Sequence, residues 1–304
     1  MICIYISDEK IKLIDGGFRG GKIVVNSFYD ISTTAGSLET GNIKDLMVFT
    51  QVLQDCMQSN NIKPTIATYV LDNSRIAFRE MIVPDVPDNK IKKVIASEIF
   101  SDSKVANNTL DYVIVDRIKT EDKKFKLKIL VTYISNDNID SLHTSGMELG
   151  LSPSVLDVAP NTISKLIERY SKTDKKLLED TFLLLDFKDT FISLNVFDNF
   201  KSQFSKSSVL YVNDTSNFDM EYLLQELASS INSIVRYYES RNEHKEIKAV
   251  YVTGNAAVLD EILQNLADSV NMMVSHLPLP SFVKGMSLMD YNAFSCALGA
   301  FIRR

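Results

Sequence analysis

Cysteine and histidine are the residue types best suited to nucleophilic or metal chemistry, and this 304-residue chain holds three of each. Cys3, Cys56 and Cys296 lie far apart, and none belongs to the C-x-x-C pair that zinc sites and redox pairs use. His143, His244 and His276 are scattered too, with no cysteine or carboxylate at metal-ligand spacing. Each cysteine has apolar neighbours and reads as a small core residue. His143 follows Leu142 in a helical stretch and reads as a polar position of that helix. No catalytic constellation, disulfide framework or metal site is therefore expected, and the cysteine usage suits a reducing cytoplasm.

The charges narrow the partners. Lys and Arg number 33 against 39 Asp and Glu, a net charge of −6, which argues against nucleic acid as a ligand. Lysine runs at Lys90–Lys93, Lys123–Lys128 and Lys172–Lys176 read as solvated faces, with a patch toward an anionic membrane as the alternative. With 45% hydrophobic and 24% charged residues the composition is that of a soluble globular protein. The start has no basic n-region and soon reaches Asp8-Glu9-Lys10, so no signal peptide is expected. The most apolar stretch, Ala293–Ile302, is too short for the ~20 residues of a membrane helix. Membrane association is expected only through partners.

These residues must be positioned by alternating strands and helices. Cys3–Ile6 and Ile11–Ile14 predict a hairpin about Ser7–Lys10, and Gly20-Gly21 precedes a strand near Lys22–Val25. Leu46, Phe49, Val52, Leu53 and Cys56 predict a helix within Asn42–Asn60, followed by a strand at Thr65–Leu71. Pro84 and Pro87 mark an extended entry to a helix carrying Ile91, Val94, Ile95 and Ile99. Strands at Thr109–Ile118 and Lys124–Tyr133 then form a hairpin about 120–123, and a helix at Ser135–Leu149 ends at Gly150. A strand at Ser154–Val158 and a helix at Asn161–Tyr170 lead to a hinge at Ser171–Lys176. Thr181–Phe187 and Phe191–Phe197 predict a second hairpin about Lys188-Asp189-Thr190. Lys201–Met220 reads as a polar loop, Glu221–Ser240 as a long helix, and Ala249–Thr253 as a buried strand. Gly254-Asn255 opens a helix over Ala256–Ser269, and Tyr291–Ile302 closes the chain as another. Each half thus begins with a hairpin, a weak internal echo.

Several segments, in order, resemble the PilM family of pilus-assembly proteins, actin-fold relatives of FtsA. They are Arg79-Glu80-Met81-Ile82-Val83-Pro84-Asp85-Val86-Pro87, Glu98, Asp111-Tyr112, Gly150-Leu151 with Leu156-Asp157-Val158, Glu226-Leu227, Ser230, Tyr237–Ser240, Val250–Ala256 and Ala297-Leu298-Gly299. The resemblance spans nearly the whole chain. It implies an α/β, actin-like (ribonuclease H-like) two-lobed fold with an inserted FtsA-type α+β subdomain. The implied first lobe is 1–78 plus 154–171, the insertion 79–153, and the second lobe 177–304, with its own insertion reduced near 201–246.

The resemblance also implies a site and partners. Members of this family hold ATP and Mg²⁺ between two glycine-containing hairpin turns, each beside an acid. The first turn, Asp-Ile-Gly-x-x-x-x-Lys in the family, is Tyr5, Ile6, Ser7 and Lys12 here; the second, Asp-Ile-Gly, is Asp186-Phe187-Lys188. The matching nucleotide positions are Ser7, Lys12, Asp186, Lys188, Thr190, Gly254 and Asn255, with Lys188 read as a solvated turn lysine. Asp157 and Asp186 are expected to face a shared cleft. Two departures in one turn and one in the other imply a nucleotide cleft present in outline with little or no hydrolysis. The alternative is an ATP-binding actin-fold protein whose nucleotide state gates assembly. The family acts in the cytoplasm, at the inner face of the cell membrane, in the type IV pilus machine that drives twitching motility. There it takes the N-terminal peptide of the inner-membrane protein PilN in a groove beside the inserted subdomain; a PilB-like ATPase and other platform proteins are further implied partners. The related secretion protein GspL carries its own membrane helix, which this sequence lacks, favouring the separate arrangement. Candidate peptide contacts are Phe78, Arg79, Met81, Pro84, Pro87, Ile91 and Ile95, with core packing the competing reading for the apolar ones.

Overall fold

A computed structural model describes the chain except for residues 8–9, 35, 40–41, 74–75, 77–78, 100–106, 121–123, 189, 211–219, 243–244, 255 and 304, and the side chains of 256–258. Phe78, His244 and Asn255 lie outside the described residues, as do parts of the expected turns at 8–9, 121–123 and 189.

One series of elements occurs twice. In the first lobe β1 (Ile2–Ile6), β2 (Lys10–Arg19) and β3 (Lys22–Ser32) form an antiparallel meander. The two-residue strands β4 (Leu38–Glu39) and β5 (Asn42–Ile43) precede α1 (Leu46–Ser59), which leads to β6 (Ile66–Leu71), parallel to β1. An excursion follows through β7 (Arg79–Pro84), α2 (Asp88–Ile99), β8 (Asn108–Lys119) and β9 (Phe125–Ser135). The lobe resumes with α3 (Asn136–Glu148), β10 (Ser152–Val158), parallel to β6, and α4 (Ala159–Thr173). In the second lobe β11 (Thr181–Phe187), β12 (Phe191–Asp198) and β13 (Lys201–Val209) form the matching meander. Then come α5 (Met220–Arg241), β14 (Ala249–Gly254), α6 (Ala256–Val270), β15 (Met273–His276), the short β16 (Val283–Lys284) and α7 (Leu288–Leu298).

The sheets repeat the pattern. The larger runs β10-β6-β1-β2-β3-β16 and the smaller β15-β14-β11-β12-β13, with matching strand directions from β10 to β3 and from β15 to β13. The echo of hairpins in the sequence is thus a duplicated topology. The central strands β1, β12 and β14 are buried at every residue, as expected where helices cover both faces of a sheet.

The main core lies between the sheets. It joins Tyr5 and Val70 of the first lobe to Phe182, Leu184 and Tyr251 of the second through α4 and α7. Ile163, Leu166, Ile167 and Tyr170 of α4 follow helical spacing on one buried stripe. The two helices meet closely, since a Cβ on Gly299, just past α7, would lie 1.8 Å from the Thr162 carbonyl oxygen. On the outer faces, α1 and α3 cover the first sheet and α5 and α6 the second.

Several expectations change. Leu142 and Leu149 of the α3 region, with Leu151, pack with Phe49 and Leu53 of α1 in the first lobe, so the expected boundary at 153 differs. The inserted unit is β7, α2, β8 and β9, whose own core contains Val83, Ile91, Ile95 and Ile129. Helix α4 continues through Thr173, and Lys175–Leu177 forms a 3-10 turn where a hinge was expected. Lys201–Val209 is a strand, not loop. It is the sheet's edge strand and half-exposed, so its serines and lysines sit comfortably there. Helix α7 starts earlier, at a capping box in which Ser287 and Asp290 satisfy each other's backbone N–H.

Candidate functional site

The parallel strands of both lobes end at one cleft, where open α/β sheets ordinarily bind ligands. Tyr5 stands near the end of β1, Asp72 directly after β6, Asp186 near the end of β11 and Gly254 at the end of β14. Lys188 reaches in from the β11–β12 turn and Cys296 from α7. These groups form one buried cluster. The Lys188 ammonium ion-pairs with Asp186 and lies 3.1 Å from the Asp72 carboxylate. It is also 3.7 Å from Cys296 Sγ and 5.4 Å from the centre of the Tyr5 ring. The Tyr5 hydroxyl donates to Asp72, the Cys296 thiol donates to Asp186 at 2.8 Å, and the Thr253 hydroxyl donates to the other Asp186 oxygen at 3.2 Å. The Lys188 side chain is 11% exposed and both carboxylates 3%.

The electrostatics follow from burial and pairing. Burial raises the Asp72 carboxyl, and its neighbour Asp186 adds to that rise, outweighing the Lys188 ammonium. Burial would raise Asp186 too, but Lys188 and the donated thiol and ammonium hydrogen bonds hold it below the usual carboxylate range. Burial disfavours a charged Lys188, yet two carboxylates hold its pKa well above the lysine norm. Burial pushes Tyr5 and Cys296 well up, so both keep their protons.

The remaining nucleotide-type positions are occupied by structural work. Ser7 N–H and Oγ donate to the Lys10 carbonyl at 2.9 and 3.1 Å, and Ser7 Oγ accepts from Lys10 N–H at 3.2 Å, so the residue closes its own turn. The Lys12 ammonium donates to the Ala293 carbonyl of α7 and lies 5.1 Å from the centre of the Phe294 ring. The carbonyl of Thr190 accepts from Leu210 N–H at 2.9 Å. Gly254 has φ +116, and a Cβ there would lie 1.9 Å from the Phe187 carbonyl oxygen, so parallel pairing of β11 and β14 alone demands glycine. Asp157 and Asp186 have separate partners: Asp157 pairs with buried Lys165 at 2.7 Å and accepts from Asn161 at 2.8 Å.

Lys188 is the main correction. A lysine in a turn is ordinarily solvated, but this turn faces the other lobe, and two acids there outweigh the cost of burying the ammonium. Sequence reasoning also missed Asp72. The available signal was an acid directly after an apolar strand, Ile66–Leu71, at a carboxyl end. Ligand atoms of Asp72, Asp186 and Cys296 all lie within 4.8 Å of one another, a metal-like set among the described residues. The Lys188 ammonium already contacts all three. Both acids are thus paired within the chain, and both hairpin lysines are engaged.

A second concavity is open. A cavity of about 370 Å³ is lined by Thr109–Val113 of β8, Thr132 and Ile134 of β9, Ile139 of α3, Leu156–Val158 of β10, Asn161 of α4 and Lys92 of α2. Successive strand residues point to opposite faces, so a cavity touching five in a row runs along the edge of β8. Both β8 and β10 are edge strands of their sheets. A smaller cavity of about 120 Å³ shares Val113 and Asn161 and continues past Val115 to Ser164, Glu168 and Lys201. The Thr132 hydroxyl, in the wall, is buried without a hydrogen-bond partner.

The expected peptide positions fall elsewhere. Arg79 and Pro84 lie on β7, at the opposite edge of the β7-β9-β8 sheet from this groove, and they and Pro87 are exposed. Met81, Ile91 and Ile95 are buried in the core beneath α2, which prevents them from lining a surface groove. β7 and β8 form the two opposite edges of this sheet, and the groove runs along β8.

The duplicated lobes, the inserted unit and the cleft at the strand ends can now be set beside known proteins. A chain of the PilM–PilN type IV pilus biogenesis complex matches 99% of this chain and 97% of its own length, with a TM-score of 0.79 and 16% identity. The fold is PilM-like and actin-like. A Bacteroides thetaiotaomicron protein with an actin-like ATPase fold and unknown function matches 90% of each chain, with a TM-score of 0.50 and 10% identity. The cytoplasmic domain of EpsL, an inner-membrane component of the Vibrio cholerae type II secretion system, matches 98% of this chain and 94% of its own, with a TM-score of 0.51 and 7% identity. No protein-family model matches the sequence, and no curated protein matches it. The PilM-like fold has no helix, among the described residues, long and apolar enough to cross a membrane.

Proposed function

We propose that this chain is a cytoplasmic adapter of a type IV pilus-type assembly machine and has little or no ATP hydrolysis. Its partner in this reading is the extended N-terminal peptide of a PilN-like inner-membrane protein, which would hold the adapter at the membrane's inner face. The observation that carries it is the open groove between two edge strands. There an entering peptide could pair with backbone along β8 while its side chains meet Leu110, Val113, Ile139 and Leu156. The PilM–PilN likeness supports the partner class. The closed cluster at the strand ends supports the absence of turnover, since no acid or ammonium in it is free for Mg²⁺ or phosphate.

Calorimetric titration with the N-terminal peptide of the PilN-like protein from the same source tests the reading. Binding that Val113→Glu weakens at least tenfold is expected, because Val113 lines both cavities and belongs to no core cluster. Absence of binding, or ATP turnover abolished by Asp186→Ala, would replace the adapter with the nucleotide-gated alternative.

A further inference from the structure

Two buried carboxylates meet at the strand ends from opposite lobes. Asp72 follows β6 of the first lobe, and Asp186 stands on β11 of the second. Buried acids so placed repel one another unless a cation lies between them. Here it is covalently part of the chain.

We propose that the Lys188 ammonium is a built-in replacement for a bound cation, tying the two lobes together so that the cleft is closed without nucleotide or metal. The geometry is that of a filled site. Lys188 pairs with acids from both lobes, the Cys296 sulfur and the Tyr5 ring flank it, and the Tyr5 hydroxyl and Cys296 thiol each donate to one of the acids. Thr253 satisfies the second oxygen of Asp186. The first hairpin contributes a parallel feature: Lys12 also points inward, with its ammonium on the α7 backbone. An incoming anion would meet two carboxylates and no free ammonium. The tie concerns the interlobe cleft alone and stands whether or not the groove takes a peptide.

The test compares wild type with Lys188→Met and with the triple variant Asp72→Asn, Lys188→Met, Asp186→Asn. Melting is followed with and without Mn²⁺, Cd²⁺ or Mg·ATP, and amide hydrogen exchange is read at Leu71–Asn73 and Phe187–Ile192. Wild-type melting is expected to stay put with every additive. Lys188→Met should melt lower by roughly 5–10 °C and recover with Mn²⁺ or Cd²⁺, because removing the ammonium frees two carboxylates and a sulfur at ligand spacing. The triple variant lacks the mutual repulsion, so it should fold without responding to metal and should exchange at least tenfold faster at both segments, its lobes no longer tied. Stabilisation of wild type by Mg·ATP or Mn²⁺ would overturn the proposal, as would unaltered exchange in the triple variant, which remains informative if Lys188→Met does not fold.

Discussion

The molecule has two concavities built from opposite materials. The interlobe cleft gathers two acids, a lysine, a tyrosine and a thiol that are spent on one another, and a second lysine held by the α7 backbone. The groove along β8 is lined chiefly by apolar side chains, strand edges and a hydroxyl with no partner. Chemically eloquent residues therefore mark where this protein is closed, and plain ones mark where it is open. A cleft whose buried charges are paired avoids the cost of leaving one of them unpaired, while an edge strand left unpaired keeps backbone groups open to another chain.

The largest effect should come from unbalancing the closed region. Lys188→Ala leaves two buried carboxylates facing each other, and a loss of about 3–5 kcal/mol in urea unfolding is expected. A loss below about 1 kcal/mol would mean that water already neutralises the pair. Asp157→Ala leaves Lys165 buried beside the groove and should cost about 3 kcal/mol by the same logic. If it costs nothing, the groove wall is softer than the cleft.

Alkaline titration probes the cleft together with the core between the sheets. Burial raises Tyr5, Cys296, Tyr170 and Tyr291 above their ordinary values of 10.0 and 9.0. The unfolded chain therefore binds fewer protons above about pH 9, and stability falls as pH rises. Lys188, raised by its acids once burial is overcome, acts in the same direction; Lys12, lowered by burial, opposes it. Each raised group contributes up to ~1.4 kcal/mol per pH unit beyond its ordinary pKa. Melting temperature should drop between about pH 9 and 10.5, with a shallower slope in Tyr5→Phe. A flat profile would show that these groups exchange with solvent. The smallest effect belongs to the groove rim, where the exposed Lys92–Asp111 pair should contribute under about 1 kcal/mol.

Much of the fold was legible because it is local. The short apolar runs of Cys3–Ile6 and Thr181–Phe187, the prolines before α2 and the apolar stripe of α5 each declare an element within a few residues. β13 was not legible, because an edge strand tolerates a serine- and lysine-rich sequence that reads as loop. Asp186 could be seen as an acid at a strand end. The inward turn of Lys188 could not, since its reason, Asp72, lies more than a hundred residues away in the other lobe. The groove's position was not legible either: chain order gives β7, β8, β9, but pairing puts β9 in the middle with β7 and β8 at opposite edges, and which edge lines a groove depends on β10 of the neighbouring sheet.

Recognition by the open groove and closure of the cleft are tested at once by one titration. The N-terminal peptide of the PilN-like protein is titrated into the intact chain with and without Mg·ATP, alongside Val113→Glu. The predicted result is one binding site whose affinity is the same in both conditions and falls at least tenfold in the variant, while its melting temperature holds. Peptide affinity that depends on Mg·ATP, or that Val113→Glu leaves unchanged, would contradict it.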